Sequence, residues 1–219
     1  MPPTGTTILA VALAYLVGAV PVGVVVCRPF GVDPRRFGSG RTGGTNVYRA
    51  AGARAAVLTV LGDVLKGTAA VVLADRLVPG DGNAVATALA ALAAIVGHNY
   101  SAFIRFAGGA GSTPNIGAFL ALAPGPQWFA GAALVACAVW YLGRIASVAS
   151  LTLAACLALA CAWLVMTGAR PPALMLYGLG QLALVAWALR PNIARLRQGT
   201  ELRVDRPAGR QAPPASPAP

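Results

Sequence analysis

Charged residues are scarce in this chain. Asp, Glu, Lys and Arg make up 11% of its 219 residues, where a soluble domain carries about a quarter. Acids are the scarcest, six against seventeen basic residues. His98 is the only histidine and Lys66 the only lysine. The four cysteines, Cys27, Cys137, Cys156 and Cys161, form no C-x-x-C pair. These shortages exclude an ordinary soluble domain and a Cys/His zinc site, so no metal is expected. The cysteines read as small polarizable hydrophobes. The pattern G-x-x-x-x-G-K-[ST] is missing, so nucleotide binding is not inferred. The net charge of +11 is not laid out as a basic stripe interleaved with aromatics, so nucleic acid is not an expected partner. No basic segment precedes the first apolar stretch, which therefore reads as a first membrane helix and not as a cleaved signal peptide.

Apolar residues are abundant, 57% of the chain, with a mean hydropathy of +0.69. They fall in seven runs, at about 6–27, 55–74, 84–96, 116–123, 128–142, 146–167 and 172–189. A full crossing needs about 20 residues, so the third, fourth and fifth runs are short for spans. The expected fold class is all-α, a polytopic membrane helix bundle of five to seven segments, with seven favoured. The connection 28–54 holds Arg28, Arg35, Arg36, Arg41, Arg49 and Arg54 against one acid, Asp33, which predicts that it is cytoplasmic. The N-terminus is then outside, and an odd number of segments returns 97–115, Arg144 and the C-terminus to the cytoplasm. Residues 1–205 read as one membrane domain. Residues 206–219 are rich in Pro and Ala, cannot bury a core, and are expected to be disordered.

Three polar, glycine- and arginine-bearing stretches interrupt the apolar runs. The first is Gly38-Ser39-Gly40-Arg41-Thr42-Gly43-Gly44-Thr45-Asn46-Val47-Tyr48-Arg49. Its hydroxyls, amide, backbone N–H groups and guanidinium forks are the donors that phosphate oxygens require. The second runs from Gly97-His98-Asn99 to Gly108-Gly109-Ala110-Gly111, where three glycines in four residues permit an anion-holding nest of N–H groups before the next helix. His98 reads either as a helix-end imidazole bonded to backbone or as a phosphate donor or proton handler. An H-x-x-x-x-D arrangement is absent, because Phe103 stands at the fifth position after it. The third stretch runs from Asn192 to Glu201, with Pro191 and Gly199 bounding a short helix whose arginines can also rest on anionic headgroups.

Two further groups stand out. Asp63 and Lys66 lie three apart within an apolar run, on one helix face, and read either as an internal ion pair or as groups lining a substrate path. Arg144, Ser147 and Ser150 are spaced three apart, which predicts two hydroxyls on one helix face below Arg144. Packing through small residues is the competing reading.

Taken together, these stretches resemble the bacterial acyl-phosphate:glycerol-3-phosphate acyltransferase family (PlsY-type), from about residue 18 to residue 201. The first connection is similar to the family's G-S-G-N-x-G-x-T-N-x-x-R, with Arg41 in place of the Asn. Asp63, Lys66 and Gly67 are similar to its D-x-x-K-G. Gly97-His98-Asn99, Phe106 and Gly108-Gly109 are similar to G-H-N…F-K-G-G-K-G. Arg144, Ser147 and Ser150 match R-x-x-S-x-x-S, and Asn192, Ile193, Arg195, Leu196, Gly199 and Glu201 match the ending H-R-x-N-I-x-R-L-x-x-G-x-E. The chain departs from these patterns at Arg41, at Ala107 and Ala110 where the family has Lys, at Ser112-Thr113-Pro114 in place of V-A-T, and at Leu189 where it has His. Arg41 and Arg105 are the arginines considered for supplying the missing charge.

The resemblance implies a membrane enzyme that moves an acyl group from acyl-phosphate to the 1-hydroxyl of glycerol 3-phosphate, giving lysophosphatidic acid. Membrane lipid is the further partner, and no cofactor is implied. It assigns Ser39, Arg49, Ser147 and Asn192 to catalysis. Thr45, Asn46, His98, Gly108, Gly109 and Gly111 are assigned to substrate phosphate. Asp63, Lys66, Arg144, Ser150 and Glu201 are assigned to substrate lining or to structure. Two other readings stay open: a family member without turnover that binds lipid phosphate or a partner, and a small anion transporter, which would place its polar groups at mid-depth.

Overall fold

The computed structural model describes residues 4–80, 83–123 and 125–204. The expected disordered tail, 206–219, lies outside the described residues. Each of the seven apolar runs forms helix. α1 spans Thr4–Ala19 and α2 Val22–Cys27, with Pro21 between them. Proline lacks the N–H that would continue the helix, so the chain breaks there and leaves carbonyls of the last turn without partners. Ser101 Oγ donates to Ala19 O, and Lys66 Nζ donates to Val20 O at 2.8 Å. The single lysine thus caps α1 from a neighbouring helix, where a cation suits the negative end of the helix dipole.

α3 runs Gly44–Leu77 but is two helices joined at Gly52, whose φ of 83° and ψ of −175° are closed to side-chain-bearing residues. The bend separates a short polar entry from the apolar rod that follows. α4 is Asn83–Asn99, α5 Ser112–Leu122, α6 Gln127–Gly143, α7 Ala146–Met166, α8 Leu174–Ala188 and α9 Arg190–Arg197. Among the described residues, four stretches, Gly5–Phe30, Gly44–Leu77, Asn83–Ile104 and Ala146–Met166, are long and apolar enough to cross a membrane, and α8 with α9, bent by 60°, adds a fifth if the pair is one span. α5 and α6 are shorter than a full crossing.

Small residues pack the seam of α1, α3 and α4, while large ones such as Ile95, Phe119, Leu157 and Tyr177 fill the core shared by α4, α5, α7 and α8. Ala10, Ala14, Ala70, Ala74, Ala86, Ala90 and Ala94 fill the seam of α1, α3 and α4. Leu61, Leu65, Leu134, Leu142, Leu159 and Met166 are exposed on the outer surface. At the helix crossings the backbones touch. A Cβ on Gly18 would lie 2.2 Å from Ala94 O, and one on Gly117 would lie 1.8 Å from Val64 O. Neither partner atom can move without dragging a helix. Gly117→Val is therefore expected to abolish the folded state or cost more than about 3 kcal/mol. Gly131→Ala, at a position in α6 with nothing within 4 Å, is expected to leave stability equal or raise it by up to about 1 kcal/mol. Thermal unfolding in detergent compares the two.

A buried polar chain links α5, α7 and α8. Asn115 Nδ2 donates to Gln181 Oε1 at 2.7 Å, Gln181 Nε2 donates to Ala154 O at 2.8 Å, and Tyr177 Oη donates to Asn115 O at 3.0 Å. In an apolar surround every such group requires a partner, and this chain sets the position of α5, whose first residues reach the cavity described next.

Candidate active site

The three polar stretches meet at one end of the bundle. Ser39, Arg41, Thr45, Asn46 and Arg49 from the first, His98 and Ala110 from the second, Ser112 and Thr113 at the start of α5 just after it, and Asn192 and Glu201 from the third line one cavity of about 110 Å³. Ser147 and Ser150 at the start of α7, and Leu189 at the end of α8, complete it.

Asn46 organises the first wall. Its Nδ2 donates to Phe37 O at 2.8 Å and to Arg41 O at 3.0 Å, and its Oδ1 accepts from Arg49 Nη1 at 3.0 Å and from Ser39 N at 3.3 Å. Both amide protons are spent on the loop. The expectation that Asn46 donates to phosphate is thus corrected: its side chain folds the connection and aims Ser39 and Arg49. Arg49 also donates through Nη2 to Arg203 O at 3.3 Å. Thr45 lines the cavity from the first turn of α3.

A second correction concerns the glycines. Gly108 N donates to Asn99 O at 3.2 Å and Gly109 N to His98 O at 3.0 Å. Those N–H groups close a turn and do not form the expected nest. Their lack of a side chain is what matters, since a Cβ on Gly109 would lie 2.0 Å from His98 Nε2. Gly111, at φ 83°, is the N-cap of α5 and offers no side chain. The helix starts uncapped beside the cavity, and the buried Ser112 Oγ has no hydrogen-bond partner among the described residues.

His98 forms the floor, with Asp63 behind it. Asp63 is 1% exposed, pairs with Lys66 Nζ at 2.8 Å, and lies 3.5 Å from His98 Nδ1. Of the two readings of Asp63 and Lys66, the internal ion pair is the one the geometry supplies, because neither residue lines the cavity. Arg144 also stands apart. It has φ 55° and caps α6, and its guanidinium lies 5.5 Å from the ring centroids of Trp140 and Tyr141. The regular spacing of Arg144, Ser147 and Ser150 does not place all three on one helix, since α7 begins at Ala146. Ser147 and Ser150 alone reach the cavity.

Glu201 gathers the third wall. Its Oε1 accepts from Asn192 Nδ2 at 2.6 Å and from Ser147 Oγ at 2.8 Å, and its Oε2 accepts from Arg195 Nε at 2.8 Å. Burial raises the carboxyl's pKa, but these hydrogen bonds and the Arg195 charge outweigh it and hold the group below its ordinary value. The stabilisation from Glu201 is full above its unfolded pKa, about 4.3, and is lost as pH falls through the lower folded value. Protection of 199–204 from hydrogen exchange, taken relative to the intrinsic rate at each pH, is expected to hold at pH 5–7 and to fall under stronger acid; Glu201→Gln should remove that acid step.

Arg41 crosses the cavity. Its Nη1 donates to Gly109 O at 3.2 Å, and its Nη2 donates to Ala188 O and to Asn192 Oδ1, the latter at 3.4 Å. Burial, and then the nearby Arg195, push its pKa down from the ordinary value, yet an arginine keeps its charge across the working pH range. Arg105, the other arginine considered, is exposed in the turn after α4 and does not line the cavity. No group of three His, Cys, Asp or Glu side chains able to hold a metal occurs among the described residues.

Comparison with known proteins adds to this geometry. A family model described as glycerol-3-phosphate acyltransferase matches residues 8–199. A glycerol-3-phosphate acyltransferase of Rubrobacter xylanophilus is 41% identical over 196 residues, covering 89% of this chain and 93% of the relative. One of Roseiflexus sp. is 40% identical over 207 residues, covering 94% and 99%. Among solved structures, the crystal structure of PlsY, an integral membrane glycerol 3-phosphate acyltransferase, in its glycerol 3-phosphate form superposes with a TM-score of 0.79 at 31% identity, covering 90% of this chain and 94% of that one. Its lysophosphatidic acid form gives 0.77 at 30% identity.

Proposed function

The chain belongs to the glycerol-3-phosphate acyltransferase family, and from that premise we propose that it transfers a fatty acyl group from acyl-phosphate to the 1-hydroxyl of glycerol 3-phosphate. The products are lysophosphatidic acid and inorganic phosphate. The observation that carries the reading is the meeting of three separate polar connections in one cavity with Arg41, Arg49 and several hydroxyls on its wall. That inventory suits the reaction. Acyl-phosphate is an activated mixed anhydride, so no serine or cysteine nucleophile is required. The protein has to hold two phosphates, orient a hydroxyl, and stabilise the tetrahedral oxyanion.

In this reading Ser39, Thr45 and Arg49 bind substrate phosphate. Ser147 and Asn192, held by Glu201, contact the glycerol phosphate or the reacting carbonyl, and His98 braces the site from below. The 1-hydroxyl oxygen bonds to the acyl carbon, the carbon–oxygen bond to phosphate breaks, and the hydroxyl proton passes to a substrate phosphate oxygen. All seven apolar runs cross or enter the membrane, with the N-terminus outside and the cavity open to the cytoplasm. The arginine-rich connection 28–54 supports that orientation. The cavity is built from the start of α3, the end of α4 and the starts of α5 and α7, so its polar groups sit at one end of the bundle and not at mid-depth. That placement favours an enzyme over a transporter.

The test is turnover by the purified chain with palmitoyl phosphate and labelled glycerol 3-phosphate. Labelled lysophosphatidic acid is the expected product. Its absence, with intact folded protein, would leave only the binding role of a member without activity.

A further inference from the structure

We propose that Arg41 is a substrate-phosphate-binding residue of this cavity, its guanidinium delivering charge to the wall formed by Ala110 and Leu189. The inference rests on the reading of the cavity as a phosphate pocket and deepens it. Arg41 is largely buried, yet no carboxylate lies within 4.0 Å of it among the described residues. Glu201, on the same cavity, is already held by Ser147, Asn192 and Arg195. The acceptors that Arg41 does have, Gly109 O, Ala188 O and Asn192 Oδ1, are all neutral. A cation withdrawn from water without a counter-charge is costly, and a bound dianion would offset that cost.

The neutral acceptors fix the fork and leave donors over. A guanidinium has five N–H donors. One on Nη1 and both on Nη2 are used, so Nε–H and the second Nη1–H have no acceptor among the described residues. Ala110 and Leu189 bring no side-chain polar atom to this wall. The uncapped start of α5 and the unpartnered Ser112 Oγ belong to the same cavity, and a helix N-terminus favours an anion. Planar bidentate recognition of phosphate is what an arginine offers there. The shared ligand chemistry is a phosphate group, carried by acyl-phosphate or by glycerol 3-phosphate.

The experiment compares Arg41→Gln, Arg41→Lys and the double variant Arg41→Gln/Ala110→Lys in the purified full chain. Arg41→Gln keeps an amide for one neutral acceptor and removes the charge. Its kcat/KM is expected to fall by about 100-fold, with KM measured separately for acyl-phosphate and glycerol 3-phosphate; the larger rise assigns the phosphate. Ala110 faces the cavity, so a lysine there restores charge without restoring the cross-tie, and the double variant should recover about tenfold or more. A loss under about threefold in Arg41→Gln, or a loss that the lysine does not recover, would overturn the proposal and leave Arg41 as a structural tie. If Arg41→Gln does not fold, Arg41→Lys decides: activity within about tenfold of the parent supports the charge, and a loss near 100-fold overturns it. Should the parent itself show no turnover, the acyltransferase reading fails alone. Calorimetric binding of glycerol 3-phosphate then judges Arg41, with binding about tenfold weaker in Arg41→Gln supporting the proposal and equal binding overturning it.

Discussion

Arg49→Ala is expected to lower kcat/KM by about 100-fold or more, the loss typical when a preorganised charged donor is taken from a developing or bound anion. Arg49 enters the cavity one turn into α3, and its Nη1 is aimed by Asn46 Oδ1 at 3.0 Å. The side chain is therefore positioned before any substrate arrives, which is the condition under which a hydrogen bond stabilises a transition state without reorganisation. Arg49→Lys keeps the charge but loses the fork, so it should recover only part of the activity. Steady-state kinetics with both substrates provides the measurement. A change below about threefold in Arg49→Ala would place the reacting phosphate elsewhere.

A large loss of stability is also expected from Asp63→Ala. Asp63 is 1% exposed inside the longest helix and pairs with Lys66 at 2.8 Å. Removing one member of a buried pair leaves the other uncompensated and costs about 3–5 kcal/mol. Here the abandoned Lys66 would keep only Val20 O as a partner. His98 would also lose the group facing its Nδ1, and it lies under Gly109 against the cavity, so activity should fall with stability. The double variant Asp63→Ala/Lys66→Met removes both charges and is expected to regain much of the lost stability, because the two effects are coupled. Thermal unfolding in detergent measures this. An unchanged transition in Asp63→Ala would show that the pair contributes nothing to the fold.

The membrane helices were legible in the sequence because each apolar run is long enough to be seen as a block, and all seven runs are helical. The number that cross was less legible, because α5, with 11 residues, is short of a full span by composition alone. The meeting of the three polar stretches at one end of the bundle is what an odd number of segments was expected to give. What did not follow was direction. Asn46 has the right chemistry for phosphate, but nothing in its neighbours' identities tells that both its amide protons fold back on Phe37 and Arg41. Gly108 and Gly109 looked like a nest because glycine permits one; the carbonyls of His98 and Asn99 claim their N–H groups through a turn visible only in three dimensions. Arg144, Ser147 and Ser150 carry a helical spacing across a point where the helix has not yet begun. The pairing of Asn115 with Gln181, 66 residues apart, leaves no local signal at all. Arg41 was visible as a departure from the family pattern, and its reach to Gly109 and Ala188 explains how one residue can serve the wall that Ala110 and Leu189 leave bare.

A structure of the purified chain with glycerol 3-phosphate bound is the most direct measurement of whether the three connections form one phosphate site. The expected result is a phosphate within hydrogen-bond distance of at least one of Arg41 and Arg49, with the glycerol extending toward Ser147 and Asn192. A phosphate held anywhere else on the molecule, with this cavity unoccupied at saturating ligand, would contradict the account.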